Sequence, residues 1–150
     1  INPSLKGPEH RERLRSALVE GRLDMVATDH APHLPADKAG NLLKAASGSP
    51  MVQFSLPAML TLYDNPAFVA RKMAQTPAEL FGIRGRGSIA EGNYADLVLV
   101  ERHDHIVQDS DVLSLCGWTP MAGERLGWRV LRTWINGAAP DAPGRPLEFA

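Results

Sequence analysis

Leu23 to Thr28 is a short, mostly apolar run that leads straight into Asp29-His30-Ala31-Pro32-His33. No other stretch narrows the fold as much. A run of this kind suits a buried strand, and the carboxylate and imidazoles then fall where the backbone leaves the core. Upstream, residues 8–20 have helical spacing. Leu14, Ala17 and Leu18 stand at i, i+3 and i+4, Glu9 lies in the first turn, and Gly21 suits the position just past a helix end. Helix, two-residue connection, strand is one step of an α/β repeat. In a closed parallel barrel the carboxyl ends of the strands carry the chemistry. Asp29 is thus expected at a strand tip, with His33 reaching back from the loop that follows.

Composition excludes several alternatives. A formal net charge of -1 leaves no basic excess for a nucleic-acid groove. Apolar stretches such as Leu97 to Val100 are far too short to span a bilayer, and no basic segment followed by an apolar one suggests a secretory leader. Cys116 is the only cysteine, so no internal disulfide forms, and a reducing cytoplasm is the expected location.

Further along, residues 30–50 read as a long loop rich in Gly, Ser, Ala and Pro, a length usually either functional or disordered. A helix is expected from Val52 to Tyr63, with Pro57 marking an N-terminal turn or a kink, and a short one from Ala67 to Ala74. Thr76-Pro77-Ala78-Glu79 predicts a new helix start, with Thr76 as N-cap, Pro77 at the first position and Glu79 closing a capping box. After Gly82 the texture changes. Ala95 to Val100 reads as a strand, and Trp128 to Ile135 alternates before the turn dipeptide Asn136-Gly137. The chain therefore divides into a helix-rich α/β part, residues 1–84, and a small β domain, residues 85–150.

These pieces together resemble dihydroorotase, of the cyclic amidohydrolase superfamily. The resemblance rests on Ile1-Asn2-Pro3-Ser4-Leu5-Lys6, Thr28-Asp29-His30-Ala31-Pro32-His33, Ala46-Ser47-Gly48-Ser49-Pro50, Thr76 to Gly82, Gly87 to Val100 and Val130 to Gly137. The D-H-A-P-H string, with Asn2-Pro3 upstream, separates dihydroorotase from its hydantoinase and allantoinase relatives. The resemblance implies the C-terminal portion of a (β/α)₈ metal-dependent hydrolase barrel, with residues 23–28 as the eighth strand, plus a small β domain. It also implies one or two Zn²⁺ per complete site, although the family's H-x-H, its bridging carboxylate and its two further histidine ligands are not in this sequence. The chain by itself is accordingly expected to be inactive.

By resemblance, Asp29 is both a metal ligand and the general acid/base, taking a proton from the attacking water and passing it to the leaving amide nitrogen. Asn2 and His33 are implied substrate ligands, suited to the ring amides and carboxylate of dihydroorotate. Ser47 and Gly48 match a loop whose backbone meets the substrate ring, glycine allowing close approach. His30 is expected to be a packing or supporting residue. The implied reaction interconverts N-carbamoyl-L-aspartate and L-dihydroorotate, and the partners the resemblance allows are a second copy and aspartate carbamoyltransferase. A non-catalytic scaffold for that transferase, or a hydantoinase- or allantoinase-type amidase, is the competing expectation; retention of Asn2, Asp29 and His33 together argues against the first, and Asn2 and His33 against the second. His103-Asp104-His105 copies the superfamily's H-x-H but lies in a charged, loop-like stretch, and is expected to be surface. Arg11, Arg13 and Arg15 read as a solvated helix face.

Overall fold

In the computed structural model, residues 3–41, 43–138 and 149 are described. Prolines open α1 (Pro8–Val19), α2 (Pro35–Lys38) and α4 (Pro66–Ala70), each at a first-turn position where the missing N–H has no intrahelical role. α1 ends as its sequence predicts, with Gly21 at a φ of 79°. Its stripe is only partly buried: Ala17 and Leu18 are covered, whereas Leu14 is 60% exposed. Glu12 takes Arg11 and Arg15 as ion-pair partners on the exposed side.

Helix α3 (Val52–Tyr63) has the expected bounds, but Pro57 lies inside it and is buried. The carbonyl of Gln53, four residues before that proline, loses its intrahelical donor. Thr61 then ties the helix to the rest of the fold. Its hydroxyl donates to the Pro57 carbonyl at 2.7 Å and accepts the Gly127 N–H at 2.9 Å.

The expected break at Thr76 does not occur. Thr76 is already helical, and the chain runs from α4 through a π-helical turn (Arg71–Gln75) into α5 (Thr76–Leu80). Pro77 explains the wide turn, since its ring would clash with the Met73 carbonyl in a regular helix. Glu79 accepts from the Gln75 side chain at 2.9 Å instead of closing a capping box.

β1 (Leu97–Ile106) and β2 (Arg125–Trp134) form an antiparallel pair, with register shifts between Leu99 and Val100 and between Arg102 and His105. Both strands are longer than their alternation suggests, because the second irregularity lets β1 absorb His103-Asp104-His105. That triplet is therefore strand, not loop. Its histidine rings stack at 5.8 Å, His105 meets Asp111 at 2.7 Å, and Asp104 pairs with Arg125 at 2.6 Å. α3 packs on β2, and Phe54, Val107 and Leu126 form the core between them.

Residues 23–28 form no ladder among the described residues. Leu23 is 38% exposed, against the expectation of a buried strand. A strand is defined by its neighbours, and here the segment leans on a helix. Val26 N–H donates to the Lys72 carbonyl at 3.2 Å, and Lys72 Nζ donates to the Leu23 carbonyl at 2.7 Å.

The Asn136-Gly137 turn forms as predicted, with positive φ at both residues and reciprocal Ile135–Ala138 hydrogen bonds. Beside it, burial disfavours the charged Asp96 carboxylate, but the Asn136 N–H and the Arg86 guanidinium outweigh this and hold its pKa below the usual range. A depressed folded-state pKa contributes stability that is complete above the ordinary value of about 3.9 and is lost as pH falls through the folded value. Thermal midpoints of wild type and Asp96→Asn should accordingly differ near neutrality and converge in acid. A constant difference from neutral pH down to strong acid would refute this.

Candidate active site

The chain leaves residues 23–28 through a sharp corner. Asp29 adopts a φ of 45°, in the left-handed region that aspartate and asparagine tolerate better than most side chains. Strain of this kind is concentrated at functional positions. The corner exposes the Asp29 carboxylate and turns the chain toward residues 46–50. There His30 pairs with Ser49 as a parallel bridge, and Ala31 N–H donates to the Ser49 carbonyl at 3.0 Å.

Gly48 lets the two stretches meet. Its φ is 116°, and a Cβ there would lie 2.4 Å from the Ala31 Cβ. Only glycine fits. Ser47, beside it, is exposed, and His33 is half-buried two residues beyond Ala31. His30 faces away from this corner. Its Nδ1 accepts the Met51 and Val52 N–H groups at 3.1 and 3.2 Å, at the start of α3, which agrees with its expected supporting role. Asp29, His33, Ser47 and Gly48 are thus carried on two stretches that run side by side. Asn2 lies outside the described residues.

Further contacts were not apparent from the sequence. Lys38, at the end of α2, donates to the carbonyls of Ala46 at 2.9 Å and Gly48 at 2.7 Å. Trp118 donates its Nε1–H to the His33 carbonyl at 2.8 Å, across 85 positions of sequence. The Trp118 turn is itself tied down: Cys116 Sγ donates to the Trp118 carbonyl at 3.5 Å, and Thr119 N–H donates to Asp109 at 3.0 Å. No spacing rule finds such pairs.

Among the described residues, no group of three or more His, Cys, Asp or Glu converges to hold a metal. A catalytic zinc takes about three protein ligands. The described residues alone therefore do not make a metal centre. Also among them, no helix is long and apolar enough to cross a membrane.

With this geometry in view, the model of the amidohydrolase family matches residues 2–139. The chain belongs to the amidohydrolase family. Within that family it is 41% identical over 128 residues to a dihydroorotase of Halobacterium salinarum, a match that covers 82% of this chain and 30% of that protein. The L-hydantoinase (dihydropyrimidinase) of Arthrobacter aurescens superposes with a TM-score of 0.85 at 27% identity, over 99% of this chain and 35% of that one. The D-hydantoinase of a Thermus species superposes with a TM-score of 0.88 at 21% identity, over 93% and 32%. This amidohydrolase chain spans about a third of the length of these relatives. Its fold is that of the C-terminal part of the amidohydrolase barrel with a small β unit.

Proposed function

We propose that this chain is the C-terminal part of a dihydroorotase, interconverting L-dihydroorotate and N-carbamoyl-L-aspartate in the cytoplasmic synthesis of pyrimidines. The observation that carries the reading is the left-handed Asp29 corner, set by the His30–Ser49 bridge against Ser47 and Gly48. Asp29 takes the proton of the attacking water and returns it to the leaving ring nitrogen. His33 and Asn2 bind the substrate's carboxylate and amide, and the Ser47-Gly48 backbone lies against its ring. Residues 1–84 belong to the barrel and 85–150 to the small β domain. Zinc, one or two ions in the complete site, would take Asp29 as a ligand and draw the others from outside these 150 residues. A second copy and aspartate carbamoyltransferase remain the partners to look for.

The D-H-A-P-H string and the 41% identity to a dihydroorotase favour this substrate over the hydantoins named in the structural neighbours. Steady-state kinetics of the complete protein on dihydroorotate and on hydantoin decide between them. Dihydroorotate should be the better substrate by kcat/KM. His33→Ala should chiefly raise the KM for dihydroorotate, because it removes a contact made before the transition state. Preference for hydantoin, or a His33→Ala variant with unchanged KM, would overturn the assignment.

A further inference from the structure

Lys38 is half-buried, with its ammonium on two backbone carbonyls and 5.3 Å from the centre of the Trp118 ring. A charge withdrawn from water needs partners of this kind, and both the charge-assisted bonds and the aromatic face favour the ammonium. The carbonyls belong to Ala46 and Gly48, on either side of Ser47. A trans peptide is planar and points its N–H opposite to its C=O. Drawing the Ala46 carbonyl to Lys38 therefore directs the Ser47 N–H the other way. The Gly48 carbonyl, held likewise, turns the Ser49 N–H away from Lys38, as its bridge to His30 requires. Trp118, whose ring lies beside the ammonium, holds the His33 carbonyl. One contact pair thus spans both stretches that carry the candidate site.

We propose that Lys38 is a positioning residue which, with Trp118, clamps residues 46–49 against residues 29–33 and so fixes the backbone surface that receives the substrate. This rests on the reading of those two stretches as the substrate face of a cyclic amidase. Lys38 touches no reacting atom. It sets the direction of the Ser47 peptide, and Trp118 links that peptide to the small β unit.

The test compares Lys38→Met, Lys38→Arg and Trp118→Phe with wild type in the complete protein. Two readouts are needed: dihydroorotate kinetics, and hydrogen exchange at the Ala31 and Ala46 amides, which donate to the Ser49 and Asp37 carbonyls. Lys38→Met should raise KM about tenfold with kcat held within about threefold, and should speed exchange at both amides about tenfold. Lys38→Arg, which keeps a charged donor, should restore most of both. Trp118→Phe, which removes the indole N–H with the five-membered ring that carries it, should loosen the His33 side and raise KM less. Should Lys38→Met not fold, Trp118→Phe and Lys38→Arg carry the test.

Unchanged exchange and unchanged KM in Lys38→Met overturn the clamp. Faster exchange with unchanged KM reduces Lys38 to a structural tie, and raised KM with unchanged exchange makes it a direct substrate ligand; either defeats the positioning role. Wild-type protein that turns over no cyclic amide overturns the functional reading instead, and exchange alone then decides whether the clamp exists.

Discussion

Replacing Asp29 by asparagine in the complete enzyme is expected to lower kcat by about 10²-fold or more, the scale of a lost general acid/base, while leaving the fold in place. The backbone makes this substitution unusually clean. Asp29 sits at a φ of 45°, and asparagine tolerates the left-handed region as well as aspartate does. The side chain keeps its size and one oxygen, and loses its negative charge, and with it the ability to take and return a proton and part of its hold on a metal. Alanine would add backbone strain and confound the result. The kinetics are to be measured in both directions, with metal content determined for each variant. Near-normal kcat in a fully metallated Asp29→Asn enzyme would remove Asp29 from the mechanism.

Gly48→Ala should be nearly as damaging, for a different reason. A φ of 116° lies outside the conformations an L-residue adopts, at a cost of about 1–3 kcal/mol. The new methyl would also stand 2.4 Å from the Ala31 Cβ, which has no rotamer by which to escape. The two stretches must part, and the Ala31–Ser49 hydrogen bond goes with them. Activity should fall by about two orders of magnitude in kcat/KM, since misplacement by about 1 Å is enough for that, and the melting temperature should drop as well. Adding Ala31→Gly relieves the collision but not the φ strain, so partial recovery would separate the two causes. Wild-type kinetics in Gly48→Ala would mean that the approach of these stretches has no bearing on the reaction.

Much of this was legible in the sequence because it is local. The bounds of α3, the positive-φ turn at Asn136-Gly137 and the start of α1 all follow from residues within a few positions of each other. The candidate site was legible as a set of residue types, in Asp29, His33, Ser47 and Gly48. What the sequence concealed depends on distant partners. Residues 23–28 read as a buried strand because their composition suits one, but burial is supplied by neighbours. Leu14 completes a periodic stripe yet is exposed for the same reason. The helix start at Thr76 failed because a π-helical turn carries the chain into Pro77 without a break. His103 to His105 looked like loop because charge outweighs strand propensity in a short window, while pairing with Arg125 to Trp128 decided the matter. Lys38 and Trp118 were silent, since nothing in either residue's own surroundings announces a carbonyl 10 or 85 positions away.

The hydrogen bonds made by His30 bear on how a motif should be interpreted. In D-H-A-P-H the second letter stands between two residues with proposed chemical roles, and a reader of strings would count three reactive groups. Its Nδ1 is occupied by the Met51 and Val52 N–H groups, so what the position supplies is a single acceptor at the mouth of α3. Any short side chain with a well-placed oxygen can do that work, as the usual helix-capping residues do. The motif is therefore two words written without a space: one holds the residues proposed for the reaction, and the other ties the chain to the start of α3.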